Sequence, residues 1–262
     1  MTDEGGNSIC DQLALGKLAA KYYETLLIAL PYNLDRDISQ YFPNTISDAS
    51  ISAISQPVTN EQIKTALFSI PDDKAPGLDG FTTLFFKHSW NIIRTDFTNA
   101  VRYFFMTNSL PRCVNAIRIT LVPKIENLAC LNDYRSISFY NVMYKCIFKI
   151  LANRLKAALS EIISPSQSTF LPNRLISDAI LLTQELLHNY HLDKSPPRCA
   201  LNVDLKKAFD TVSWQFIIVG LKAIRIPASM VTWIQICIFS AYFTINMNGE
   251  LHVFFKSSRG IR

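Results

Sequence analysis

The segment ALNVDLKKAFDTVSW (200–214) holds the side chains best placed to do chemistry. Alternation along an extended chain puts Leu201, Val203 and Leu205 on one face and Asn202 and Asp204 on the other. A strand that breaks from apolar residues into aspartate presents a carboxylate at its end, where a cleft forms and a metal ion can be held. Taken alone, Asp204 equally suits a helix N-cap or a surface turn. A second group of candidates is basic. Residues 112–174 carry nine Lys and Arg against three acids, a net +6, whereas the whole chain carries +5. Residues 1–60 run the other way, with seven acids and three bases. A local field of that sign and size suits a polyanion such as nucleic acid; a solvated basic face is the plainer alternative.

Other chemistries find little support. The six cysteines are scattered, no two closer than 16 residues, which gives neither a zinc knuckle nor a disulfide framework and fits a reducing, intracellular setting. His188 and His191 are the one close histidine pair and have no further ligand at metal spacing. Asp72-Asp73 follows Ile70-Pro71 in a run of turn formers. No secretory signal is visible at the N-terminus. Ile226 to Gly249 is uncharged and long enough to span a bilayer, but Pro227, Ser229, Thr232, Gln235, Ser240, Thr244 and Asn246 interrupt it. A buried helix over 228–239 and a strand over 241–247 read better than a membrane span.

These residues need a scaffold. A first helix is expected from Asp11 to Leu30, then a polar linker over 31–58. Thr59 and Gln62 form a capping box for a helix reaching Phe68. Phe81 to Thr107 reads as helical. Ile117–Val122 alternates, is β-branched and stops at Pro123, so it is a strand; Tyr134–Phe139 is its expected antiparallel partner. Asn141 to Ile163 is the clearest helix. Met143, Ile147, Ile150, Leu151, Leu155, Ala158 and Ile162 share one arc, and Lys145, Lys149 and Lys156 form a stripe opposite. Arg154 falls inside the apolar arc, where it must snorkel, pair or meet a ligand. Further helices are expected over 178–190 and 214–223, and a strand over 199–204. Strands and helices without strict alternation indicate an α+β fold.

In full, the 200–214 segment resembles motif A of the reverse transcriptases, in the version found in non-LTR (LINE-type) retrotransposons of plants. Five more blocks agree in order: KAPGLDGF (74–81), ITLVPK (119–124), YRSISFYNVMYKCIFKILANRLK (134–156), QSTFLPNRLISDAILLTQEL (167–186) and FFKSSRGIR (254–262). Leu78, Ser136 and Asn173 depart from the family's usual Pro, Pro and Gly. The resemblance implies the fingers and part of the palm of a right-hand polymerase, helix-rich with a small antiparallel sheet. It divides the chain into an N-terminal helix and linker (1–58), fingers (59–198) and partial palm (199–262), without thumb.

The activity it implies is RNA-templated DNA synthesis, with Mg²⁺ as cofactor and an RNA template, a DNA primer and a dNTP as partners, in the nucleus and away from membranes. Asp204 would be the catalytic metal ligand, with the Leu205 carbonyl beside it. Phe209 would discriminate against a 2′-hydroxyl, and Lys124 and Arg135 would grip the triphosphate. Lys145, Lys149 and Lys156 would line the nucleic acid. The family follows RGIR with Gln-Gly-Asp-Pro and later an aromatic-x-Asp-Asp hairpin. Without those carboxylates this chain is expected to be inactive by itself, as a nucleic-acid-binding remnant or as part of an incompletely predicted gene.

Overall fold

The computed structural model describes residues 9, 11–28, 38–126, 130–164, 166, 167, 174–188, 201, 203–205 and 207–261. Ten helices and four strands are assigned among them. Helix α1 (Gln12–Leu27) starts where Asp11 accepts a bond from the Ala14 N–H. The stretch read as a linker contains a helix, α2 (Asp48–Ser55), capped by Ser47. Its Ser-rich sequence hid it, because helical propensity is weak there and the helix rests on tertiary contact. Helix α3 (Asn60–Phe68) has the expected reciprocal capping box between Thr59 and Gln62. The aromatic-rich region divides at Ser89 into α4 (Thr83–His88) and α5 (Trp90–Thr107).

Strands β1 (Ala116–Pro123) and β2 (Tyr134–Phe139) pair antiparallel, with Leu121 opposite Ser136. Helix α6 (Val142–Ile162) follows, then α7 (Ile176–Leu187) and the single turn α8 (Ala208–Thr211). Helices α9 (Trp214–Ala223) and α10 (Ala228–Phe239) lead into β3 (Tyr242–Met247) and β4 (Glu250–Lys256). The Asn248-Gly249 turn joins β3 to β4, and Glu250 is the first residue of β4 rather than part of a loop.

The sheet has the order β2-β1-β3-β4 and is mixed, not antiparallel, because β1 and β3 run parallel. Two parallel strands need a long crossover, and five helices, α6 to α10, lie between β2 and β3. Asn115, 1% exposed, sets the alignment: its amide donates to Cys237 O and Ser240 Oγ at the end of α10, and its carbonyl accepts from Tyr242 N. The end of one crossover helix is thereby tied to the start of β1. This pairing also joins the stretch read as fingers to the stretch read as palm.

Two apolar cores result. One is helical and contains Ile63, Leu67, Phe104, Ile147, Leu151 and Met230. The other lies between α1 and the sheet and contains Ala19, Tyr23, Ile119, Trp214, Phe243 and Ile245. Arg154, inside the apolar arc of α6, pairs: its guanidinium donates to Ile54 O, Pro57 O and Gln62 Oε1. No described helix is long and apolar enough to cross a membrane.

The expected strand over 199–204 falls partly on residues outside those described (Cys199, Ala200 and Asn202). Leu201 and Val203–Leu205 belong to no strand and are 85, 68 and 72% exposed at Leu201, Val203 and Leu205. Alternation told which face would be apolar, but a strand also needs a neighbour for its N–H and C=O groups, and among the described residues β1 to β4 pair only with one another.

Candidate nucleotide site

The stretch after Asp204 is held from three sides. Lys207 takes a left-handed conformation (φ 53°) just before α8. Beyond it, 209–214 lies alongside 257–261, within the FFKSSRGIR block. Gly260 N donates to Val212 O, Ile261 N donates to Phe209 O, and the Trp214 indole donates to Gly260 O. Gly260 has φ 91°, and a β-carbon there would approach Leu27 Cδ2 at 3.0 Å and Asp210 O at 3.2 Å. Glycine is required on both counts.

The same segment closes the end of α1. Ser258 N and Arg259 N both donate to Leu27 O, and Arg259 Nε donates to Leu26 O at 2.7 Å. Carbonyls at a helix C-terminus lack intrahelical partners, so α1 and the SSRG segment satisfy one another.

Two small pockets adjoin here and share Asp210, which is buried in the first turn of α8. Phe209, half exposed, lines one of them with Arg259, Gly260, Tyr23 and the β2 residues Ser136 and Ser138. Lys124 and Lys207 line the other, with Tyr22, Asn132 and Tyr134. The Lys124 ammonium donates to Asn132 O at 2.6 Å. The structure thus brings Lys124 and Phe209 to neighbouring pockets. Arg135 is exposed and lines neither, since it alternates with Tyr134 and Ser136, which do. Asp204 and Leu205 are exposed and line neither pocket.

On α6, Lys145 and Lys149 are half-buried and Lys156 is exposed. Lys145 donates to Ala75 O at 2.8 Å. Burial, reinforced by Lys74, pulls its pKa below the usual lysine range, and Asp79 opposes this. That bond is one of several that latch the KAPGLDGF loop onto the start of α6. Arg118 donates to Pro76 O, and Asp79 N donates to Asn141 Oδ1. A β-carbon on Gly77 would stand 1.9 Å from Asn141 Oδ1 and 2.4 Å from its backbone N, so only glycine lets the loop lie this close.

A cavity of about 490 Å³ lies between α6 and the sheet. A ladder of stacked rings, Tyr140, Tyr144 and Phe148, forms one wall, and Lys74, Lys145 and Lys149 border it. None of Lys124, Arg135, Asp204 or Phe209 reaches it. Burial pushes the Tyr140 hydroxyl up to about 12 and the Tyr144 hydroxyl further, so both stay neutral.

The described residues do not make a Mg²⁺ site by themselves. No three His, Cys, Asp or Glu side chains converge among them, and Mg²⁺ keeps its waters unless several oxygens compete for it.

Sequence reasoning did not single out Tyr22, Asn132, Lys207 or Arg259. Lys207 and Arg259 stand within the recognised blocks and could have been flagged as basic residues in segments otherwise read for their Asp and Gly. Tyr22 and Asn132 carry no local signal.

Residues 122–262 match the family described as reverse transcriptase (RNA-dependent DNA polymerase). Over 261 residues, 99% of its length, the chain is 29% identical to the "Transposon TX1 uncharacterized 149 kDa protein" of Xenopus laevis. It is 25% identical, over 82% of its length, to a retrovirus-related Pol polyprotein from a type-2 retrotransposable element of Drosophila melanogaster. Over 65% of its length it is 31% identical to a retrovirus-related Pol polyprotein from a type-1 retrotransposable element of Popillia japonica. The chain spans 20, 20 and 23% of these three relatives respectively. The chain belongs to the reverse transcriptase family, of the non-LTR retrotransposon kind that its motifs resemble.

Proposed function

We propose that this chain grips a deoxynucleoside triphosphate and a template strand for RNA-templated DNA synthesis. The observation that carries the reading is the meeting of the β1–β2 hairpin with the 204–214 segment, where Lys124 and Asp210 line one pocket and Phe209 lines the next. In this reading Lys124 holds phosphate as a point charge, and Arg135 reaches the same anion from the edge strand through its forked donors. Phe209 lies under the sugar and disfavours a 2′-hydroxyl. Lys149 and Lys156 face the template backbone. Asp204 and the Leu205 carbonyl are one part of a magnesium site, and because the other oxygens are not among the described residues no chemical step follows from these side chains alone.

Titration of the chain with a dNTP and with the matching ribonucleotide tests this. The dNTP should bind more tightly, Lys124→Ala should weaken both ligands, and Phe209→Ala should narrow the difference between them. Equal binding of both nucleotides by the unaltered chain, unaffected by Lys124→Ala, would overturn the reading. A primer-extension assay with the same preparation should give no product, with Mg²⁺ or with Mn²⁺. Extension abolished by Asp204→Ala would show that the chain completes a metal site that its described carboxylates do not.

A further inference from the structure

Lys207 has no part in the reading above, yet its placement is unusual. A left-handed backbone costs a non-glycine residue on the order of 1 kcal/mol, and lysine lacks the short polar side chain that lets Asn or Asp offset it. Residues held in this way gather at functional sites. The ammonium of Lys207 ends between two elements far away in the chain. It donates to the Tyr22 hydroxyl on α1 and, at 2.7 Å, to Asn132 Oδ1 in the loop between β1 and β2. Tyr22 donates to the same oxygen at 2.6 Å, and its ring centroid lies 5.1 Å from the Lys207 nitrogen.

Lys124 meets the same asparagine from the other side, on its main-chain oxygen. Two ammonium groups therefore converge on one neutral residue. The bond lengths of a single asparagine keep them within about 10 Å of each other. Neither has an ion-pair partner among the described residues, where the ion pairs are Lys87–Asp72 and Arg225–Asp48. Two cations this close repel, and the amide, carbonyl and phenol oxygens they hold, with the Asp210 carboxylate that lines the same pocket, offset only part of that. An anion would be bound about twice as strongly as a neutral acceptor. Asn132 is exposed and Tyr22 half-buried, so each can exchange the lost bond for water at modest cost.

We infer that Lys207 is a second triphosphate-binding residue, paired with Lys124, and that its bonds to Tyr22 and Asn132 are the resting arrangement of a cation awaiting phosphate. The inference rests on the reading that Lys124 grips the triphosphate. The pocket bordered by the two lysines, about 40 Å³, is too small for a triphosphate. The anion therefore sits at its mouth, and Lys207 swings from Tyr22 to reach it.

The test is calorimetric titration of the whole chain with inorganic triphosphate at low salt, with thermal unfolding followed on the same samples. Lys207→Ala should weaken binding about tenfold, Lys207→Arg should restore most of it, and Tyr22→Phe should leave it unchanged or strengthen it. If Lys124→Ala weakens binding while Lys207→Ala does not, the inference fails and the nucleotide reading stands. If neither substitution changes the affinity, that reading fails and takes the inference with it. Equal losses of melting temperature in Lys207→Ala and Tyr22→Phe, without loss of affinity, would make the contact a structural clasp and overturn the proposal. Should Lys207→Ala not fold, Lys207→Gln against Lys207→Arg decides in its place.

Discussion

The helical half buries a cation, whereas the sheet half holds two at its surface. In the helical half, Arg154 is buried at the junction of α2, α3 and α6, with its guanidinium on two carbonyls and one side-chain amide. Of the residues that supply these acceptors only Ile54 is buried; Pro57 and Gln62 are exposed, and Gln62 Oε1 also accepts from Thr59 N. In the sheet half, Lys124 and Lys207 share the exposed Asn132 and keep their access to water. The first arrangement fixes a cation for structure. The second holds cations loosely enough to be taken by a ligand. The sequence-level clue to this difference is the neighbourhood: Arg154 sits in an apolar arc, whereas Lys124 and Lys207 border loops.

The difference can be broken most sharply in the latched KAPGLDGF loop. Gly77→Ala should cost about 3 kcal/mol, because the new carbon collides with backbone that cannot move without freeing α6. Urea unfolding measures this, and a loss below about 1 kcal/mol would mean that the loop is not held as described. Arg154→Met comes next, at about 1–2 kcal/mol, since it strands the buried Ile54 carbonyl. By contrast, Arg135→Ala and Asp204→Ala, at exposed positions, should change stability by less than about 0.5 kcal/mol. A large loss at either would make it part of the scaffold.

The lysine stripe sharpens the comparison at the level of binding. RNA affinity should fall as salt rises, and Lys149→Ala and Lys156→Ala should each flatten that dependence by about 0.7 in log–log slope for a single strand. Lys145→Ala should leave the slope alone, because its ammonium is already committed to Ala75. Equal effects from all three would show that Lys145 leaves the loop to meet RNA.

The smallest expected effect is a pH dependence. The side-chain bond from Ser50, with help from Ser47, holds the Glu161 carboxyl below its ordinary value of 4.5. Its folded-state pKa is thus depressed, so its contribution is present above the unfolded value and is lost as pH falls through the folded one. Glu161→Gln should be slightly less stable than the unaltered chain at neutral pH. The two should converge as pH falls through the depressed folded-state value, as equilibrium unfolding across pH would record. A difference that persists at low pH would mean that the loss is one of packing.

Legibility in the sequence followed distance along the chain. The α3 capping box, the extents of α9 and α10 and the β1–β2 hairpin could all be read from residues a few positions apart, whereas for Arg154 pairing was one of three outcomes the sequence left open. Helix α2 could not, because eight residues with three serines have too little propensity to stand out from a linker. Strand β4 was missed because its residues alternate poorly and the strand depends on pairing with β3. The parallel β1–β3 pairing and the Tyr22–Asn132–Lys207 cluster were illegible for one reason. They join residues 75 or more positions apart, and no periodicity records which distant segment will arrive. The motif match found the segment that carries the candidate site, but not the neighbours that hold it.

That parallel pairing also governs how the molecule is made. Residues 116–120 lie against 242–246, so during synthesis β1 waits for more than a hundred further residues before its second edge is covered. At the usual rate of about 5–20 residues per second, this is a delay of many seconds. Over that interval the β1–β2 hairpin presents an open edge, with Ile117 and Ile119 beside it, to any other nascent chain. Ribosome-bound intermediates that end before β3 should therefore be the form most in need of a chaperone. Refolding of the whole chain should be slow and concentration-sensitive, in keeping with a sheet whose central contact closes last.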